Sequence, residues 1–89
     1  MLIDVVEVAP RGGHRLFVRF EDGAEGERDF ADLVARGGPM AQPLKDEAYF
    51  ARVFVDHGAP TWPNGYDLAP DALYEEMREA GQLTKTDAA

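Results

Sequence analysis

The sequence predicts an α+β fold: a small antiparallel β-meander of three to five strands, short helices, and a C-terminal helix packed on one face. Three observations carry this expectation. The run Arg15-Leu16-Phe17-Val18-Arg19-Phe20 alternates with period two, which places Leu16, Val18 and Phe20 on one face of a strand. Asp22-Gly23 follows, a dipeptide that favours a tight hairpin with positive φ at both central positions. Further along, Leu73, Met77 and Ala80 recur at helical spacing behind Pro70, a residue suited to the first turn of a helix.

The remaining elements fall into place around these. Residues 2–8 are rich in β-branched side chains and read as a first strand, with Ile3 and Val5 on one face and Pro10-Arg11-Gly12-Gly13 breaking it. A polar return strand is expected over residues 25–30, half-exposed or at an edge. Residues 29–35 fit a short helix with Phe30, Leu33 and Val34 on one face, closed by Gly37-Gly38-Pro39. Another turn of helix follows residues 43–47, with Asp46 as its N-cap and Tyr49 and Phe50 pointing inward. Val53-Phe54-Val55 reads as a compact strand stopped by Asp56-His57-Gly58, and Thr61-Trp62 as a brief extended piece ahead of Pro63. The last helix spans residues 70–80 and ends at Gly81. The expected core is Leu16, Val18, Phe20, Phe50, Val53, Val55, Leu73 and Met77.

Eighty-nine residues make one domain, expected over residues 1–83, with 84–89 a frayed C-terminal tail. No apolar run approaches the roughly 20 residues needed to cross a bilayer, and Met1-Leu2-Ile3-Asp4 lacks a basic region ahead of an apolar one. A cytoplasmic location is the simplest expectation. There is no cysteine, which excludes disulfides and thiolate zinc sites. There is no serine either, so neither Ser-His-Asp nor Cys-His catalysis can be assembled. Seventeen acidic residues against nine basic give a formal net charge of -8. Nucleic-acid binding draws its affinity from cations on phosphates, so the isolated chain is not expected to bind nucleic acid. A small basic protein partner suits the balance better, and association into a homo-oligomer stays open.

The densest constellation is Trp62-Pro63-Asn64-Gly65-Tyr66-Asp67-Leu68-Ala69-Pro70-Asp71-Ala72-Leu73-Tyr74. Pro63-Asn64-Gly65 is turn chemistry, and it gathers Trp62, Tyr66 and Tyr74 around a strand-to-helix connection. One reading makes this a binding patch, with Trp62, Tyr66 and Tyr74 as aromatic anchors and Asn64 and Asp67 as polar contacts. The other puts Trp62 in a corner of the core and Asp67 at the start of the last helix as a cap. These residues also carry a family resemblance. Phe20-Glu21-Asp22-Gly23, then Pro43-Leu44-Lys45-Asp46 with Tyr49-Phe50, then the element from Trp62 to Tyr74, occur in the order found in the bacterial family called domain of unknown function 2442. The chain resembles that family over about residues 3–76, and the W-P-N-G-x-D-x-x-P-x-x-L-Y element is the specific part. The resemblance implies a small α+β domain, in some members alone and in others fused to a helix-turn-helix domain. Many members are encoded beside a small partner in a toxin–antitoxin arrangement. The chain ends soon after the last helix, so a DNA-binding appendage is not expected here. The family has no agreed catalytic residues, and none is carried over.

Other chemistry finds little footing. His14 and His57 are the two histidines, each beside a glycine in a turn and without the spacing of a metal pair. Asp22, Asp29 and Asp32 read as solvated or capping groups rather than as an acid–base pair. Gly12-Gly13 and Gly37-Gly38 lack phosphate-loop spacing. The expectation is a non-enzymatic, acidic protein-interaction module with no cofactor, no metal and no membrane role, acting as the antitoxin-like member of a two-protein pair. The alternatives are a small-molecule-binding domain using residues 62–74, or an accessory domain.

Overall fold

Strict alternation sets the central strand. In the computed structural model of the chain, which describes residues 2–85, β2 (Arg15–Phe20) buries Leu16, Val18 and Phe20 and turns Arg15, Phe17 and Arg19 to the opposite face. β1 (Val5–Pro10) and β3 (Ala24–Asp29) flank it, antiparallel on both sides, with Val8 opposite Val18 and Val18 opposite Gly26. The first strand therefore starts three residues later than the apolar run, and Pro10 closes it rather than preceding a break.

The β2–β3 turn differs from expectation. The Phe20 carbonyl accepts from the Gly23 N–H at 3.0 Å, and Gly23 has φ 91°, while Asp22 is not in the left-handed region. Asp22 Oδ1 instead accepts from the Ala24 N–H at 2.9 Å, so its side chain braces a longer loop with glycine in its last position. The primed two-residue turn occurs elsewhere, between β4 (Phe54–Asp56) and β5 (Ala59–Thr61), where His57 (φ 51°) and Gly58 (φ 79°) both have positive φ. This hairpin packs beside the start of β1, whose Val5 N–H donates to the Gly58 carbonyl at 2.8 Å.

Helices cover the inner face. α1 (Ala31–Arg36) buries Val34, and a 3-10 helix (Pro39–Lys45) buries Ala41 and Leu44. α2 (Glu47–Phe50) is capped by Asp46, whose side chain accepts from the Ala48 N–H as expected. α3 (Pro70–Glu79) begins at Pro70 and buries Leu73 and Met77. It ends with Gln82 N–H on the Met77 carbonyl and Gly81 N–H on that of Arg78, around Gly81 at φ 70°. That is the two-bond glycine stop in which left-handed backbone satisfies the last carbonyls. Ala80, expected on the buried face, is exposed because the helix has ended by that point.

The chain then returns to the sheet. β6 (Thr84–Lys85) pairs with β3, Ala24 opposite Lys85 and Glu25 opposite Thr84, giving the sheet order β1-β2-β3-β6. Thr84 and Lys85, expected to begin a frayed tail, are thus held by ladder hydrogen bonds, and residues 86–89 lie outside those described. Gly26 makes the return close: a Cβ built there would collide with the Gln82 carbonyl oxygen and sit 2.9 Å from its carbon.

The core forms between the sheet and these helices around Leu16, Val18, Phe20, Phe30, Leu44, Phe50, Trp62, Leu73 and Met77. Val53 and Val55, expected within it, are half-buried at its margin, since the strand begins at Phe54 and its hairpin lies at the edge of the domain.

Candidate functional site

The Trp62 element folds as a second loop of the β2–β3 kind. The Trp62 carbonyl accepts from the Gly65 N–H at 2.9 Å, Gly65 has φ 90°, and Asn64 Oδ1 accepts from the Tyr66 N–H at 3.1 Å. Trp62 N–H donates to the Tyr66 carbonyl at 2.9 Å, and Thr61 bridges Asp67, so the connection is a miniature hairpin. Proline presets the first central position, and asparagine braces the loop with its side chain.

That geometry decides the fate of each expected binding residue. Trp62 is 1% exposed, donates its indole N–H to the Phe50 carbonyl at 2.8 Å, and packs on the Phe50 ring at 5.4 Å. Asn64 donates its amide to the Met40 carbonyl at 2.8 Å, tying the loop to the 3-10 helix. Tyr66 is half-buried against Trp62 at 5.9 Å. Tyr74 has other neighbours, standing edge-on to Phe20 at 4.9 Å with its hydroxyl donating to Asp22 Oδ2 at 2.7 Å. Asp67 is exposed and does not cap α3: the N-cap position is Ala69, with no side-chain cap bond. The structure therefore brings Trp62, Asn64 and Tyr66 together as scaffold and leaves Asp67 alone facing solvent.

The Asp22–Tyr74 contact joins the two most recognisable stretches of sequence. Burial raises the Asp22 carboxyl, but hydrogen bonds from Tyr74 and the Ala24 N–H, with the Lys85 ammonium 3.7 Å away, more than offset it and hold it below its ordinary value. The same bond, reinforced by burial, holds the Tyr74 phenol above its ordinary value. His14 is equally structural. Its Nε2 lies 2.8 Å from the Leu44 carbonyl, which can only accept, so that nitrogen carries the proton. Among the described residues no three of His, Asp or Glu converge where a metal ion could be held, and no helix is long and apolar enough to cross a membrane.

Two surfaces remain. On the outer face of the sheet, the Phe17 ring lies under the guanidinium groups of Arg11 at 4.9 Å and Arg19 at 5.6 Å. Arg19 also bonds Glu7 at 2.6 Å and Glu25 at 3.1 Å, and Arg15 pairs with Glu27 at 3.4 Å. These pairs are largely exposed and worth about 0–1 kcal/mol each; they leave the face charged but internally satisfied.

The second surface is a shallow groove of about 70 Å³ between β3, α1 and α3, floored by Phe30, Leu33, Leu68, Ala69, Ala72 and Leu73. Arg28 and Glu76 form one wall, paired at 2.6 Å, with the Arg28 guanidinium 5.0 Å over the Phe30 ring. Sequence reasoning missed this site because three distant segments build it. One signal was present: along β3, Ala24, Gly26 and Arg28 share the inward face, and an arginine on a core-facing strand position needs a partner.

Fold and groove define a small α+β domain with a preformed apolar notch under an ion pair. Residues 5–79 match the family described as Protein of unknown function (DUF2442), and the chain belongs to that family. No curated protein and no solved structure matches it.

Proposed function

We propose that the chain is a non-enzymatic, acidic protein-interaction module that acts as the antitoxin-like member of a two-protein bacterial pair by holding a small basic partner. The observation that supports this is the placement of carboxylates without ion-pair partners. Arg15, Arg19, Arg28, Arg78 and Lys85 already face carboxylates of the chain. Asp32, Asp67, Asp71 and Glu79, on α1, on α3 and on the segment leading into α3, have no ion-pair partner among the described residues, and neither do Asp4, Glu21, Asp29, Asp46 and Glu47 elsewhere on the chain. Of the first four, Asp32, Asp67 and Asp71 adjoin groove-lining residues in the chain. The net charge of -8 adds a long-range field that attracts a cationic protein to the chain. A small-molecule site usually encloses about 300–1,000 Å³; the groove offers about 70 Å³, which favours a protein partner over a ligand.

Gene context and co-expression test the reading. A short basic reading frame beside this one should yield a product that co-purifies with the chain. Its association rate should fall steeply as salt rises from about 0.05 to 0.3 M, where screening shortens to well under 10 Å. Lack of such a neighbour, lack of a complex, or association indifferent to salt refutes the proposal.

A further inference from the structure

We infer that Asn64-Gly65 is a self-modification site gated by the fold: held in its loop the asparagine is inert, and in the unfolded chain it converts irreversibly to an acid. The inference is independent of what the acidic surface binds.

The chemistry needs only the chain and water. The Gly65 nitrogen attacks Asn64 Cγ, the bond from Cγ to Nδ2 breaks, and ammonia leaves with the proton that the Gly65 nitrogen gives up. A five-membered succinimide is left between the two residues. Water then adds across either of its carbonyls, and aspartate or isoaspartate stands at position 64. Asn64 is the single asparagine of the chain, and the glycine after it has no side chain to shield the attacking nitrogen. Gly65 is exposed, and a Cβ built on it would meet nothing within 4 Å, so water has access. With φ at 90°, this position also favours glycine over any other residue. The loop thus requires the dipeptide that makes the unfolded chain vulnerable.

Folding withholds the reacting atoms. The Gly65 N–H donates to the Trp62 carbonyl at 2.9 Å, Nδ2 donates to the Met40 carbonyl at 2.8 Å, and Oδ1 accepts from the Tyr66 N–H at 3.1 Å. The reaction uses up the Gly65 proton and expels Nδ2, so it cannot run while the first two bonds stand. Neither acceptor is free to follow. Trp62 is buried and tied by its indole to the Phe50 carbonyl, and Met40 belongs to the 3-10 helix that Ala41 and Leu44 anchor in the interior. Asp22-Gly23 forms the same kind of loop, with the Gly23 N–H on the Phe20 carbonyl, but its carboxylate has no ammonia to lose.

The product does not fit the loop it came from. An acid at position 64 sets a carboxylate oxygen against the Met40 carbonyl, acceptor facing acceptor, where an N–H had donated. Isoaspartate also adds a methylene to the backbone inside the loop that the Trp62 N–H and Tyr66 carbonyl close. A chain that stays folded keeps its amide, and a chain that lingers unfolded is marked for good.

The test incubates the full-length chain for several days in mildly alkaline buffer, folded and in unfolding urea, and follows the amide-to-acid mass gain by peptide mapping. Conversion at Asn64 should be at least about tenfold faster in the unfolded chain, because the folded chain reacts only through opening of the loop. Through the unfolding transition the rate should rise with the unfolded fraction. Asn64→Gln keeps an amide but cannot close the five-membered ring, and it should abolish the gain. Asn64→Asp should melt about 4–8 °C below wild type, the shift that loss of a hydrogen bond causes in a domain of this size. Equal rates in the folded and unfolded chain overturn the gate. Absence of conversion in urea, or a gain that persists in Asn64→Gln, overturns the site. Asn64→Asp melting with the wild type overturns the one-way step. The rate comparison on the wild-type chain decides the gate even if Asn64→Asp does not fold.

Discussion

Gly26→Ala isolates one contact of the fold. Gly26 lies mid-strand opposite Val18, and its φ is outside the left-handed region. Alanine therefore meets no backbone strain there, and on chain entropy alone it would stabilise by about 0.4–1 kcal/mol. The structure predicts the opposite sign. The new methyl would overlap the Gln82 carbonyl oxygen, lie 2.9 Å from the carbonyl carbon, and lie 3.5 Å from Leu83 Cα. All three are backbone atoms, and that backbone is pinned on both sides. Gln82 N–H holds the Met77 carbonyl, and two residues on, Thr84 pairs with Glu25. Overpacking of a rigid site costs about 1–3 kcal/mol, and here relief requires either tearing β6 from β3 or displacing the end of α3. The expected loss is about 2–3 kcal/mol, which lowers the melting temperature by roughly 10–20 °C in a domain of this size. Urea unfolding followed by the fluorescence of Trp62, the single tryptophan, reads it directly. A change below about 0.5 kcal/mol, or any stabilisation, would show that the return strand does not pack on Gly26.

Three further outcomes follow from the site. Tyr74→Phe should cost about 1 kcal/mol through the lost bond to Asp22, and it should flatten the pH dependence at both ends. Because the folded Asp22 carboxyl is depressed, its contribution is present above the unfolded value of 3.8 and disappears as pH falls through the lower folded value. Because the folded Tyr74 phenol is raised, its contribution is complete below pH 10.0 and disappears as pH rises through the higher folded value. Urea titrations of wild type and variant across pH check both limbs. Trp62→Phe should destabilise by about 2–4 kcal/mol, since it removes the indole N–H bond to the Phe50 carbonyl, leaving that oxygen only the longer bond from the Val53 N–H, and opens a void. Thermal melts followed by circular dichroism measure this. Asp67→Ala should leave stability within about 0.5 kcal/mol of wild type, because the carboxylate is exposed and caps nothing; a larger drop in melting temperature would restore a capping role.

What was legible in the sequence was whatever local chemistry decides. Alternation at Leu16, Val18 and Phe20 gave the central strand, Asp46 gave a cap, and Pro70 with Gly81 bracketed α3. Turn type was less accessible. Asp22-Gly23 and His57-Gly58 are both a residue followed by glycine, and only the loop length imposed by strand register decides which of them needs two positive φ angles. The aromatics of residues 62–74 were visible as a cluster, but not their direction. Trp62 turns in to pack on Phe50 and give its indole N–H to the Phe50 carbonyl, and Tyr74 turns to Asp22, far away in sequence. Of the groove, only Arg28 on the inward face of β3 left a trace in the sequence. Its floor joins residues from α1, from the segment before α3 and from α3 itself, and no local pattern records that meeting.

The edges of the main sheet bear on how this chain survives at high concentration. β1 is outermost on one side, yet its register breaks between Val5 and Glu7, its final residue is Pro10, and the β4–β5 turn bonds its first amide. On the other side β6 spans two of the described residues. Bulges, prolines and short margins deny an incoming strand the row of free amides it needs to add itself. Both margins thus work against templated growth of the meander into cross-β aggregates.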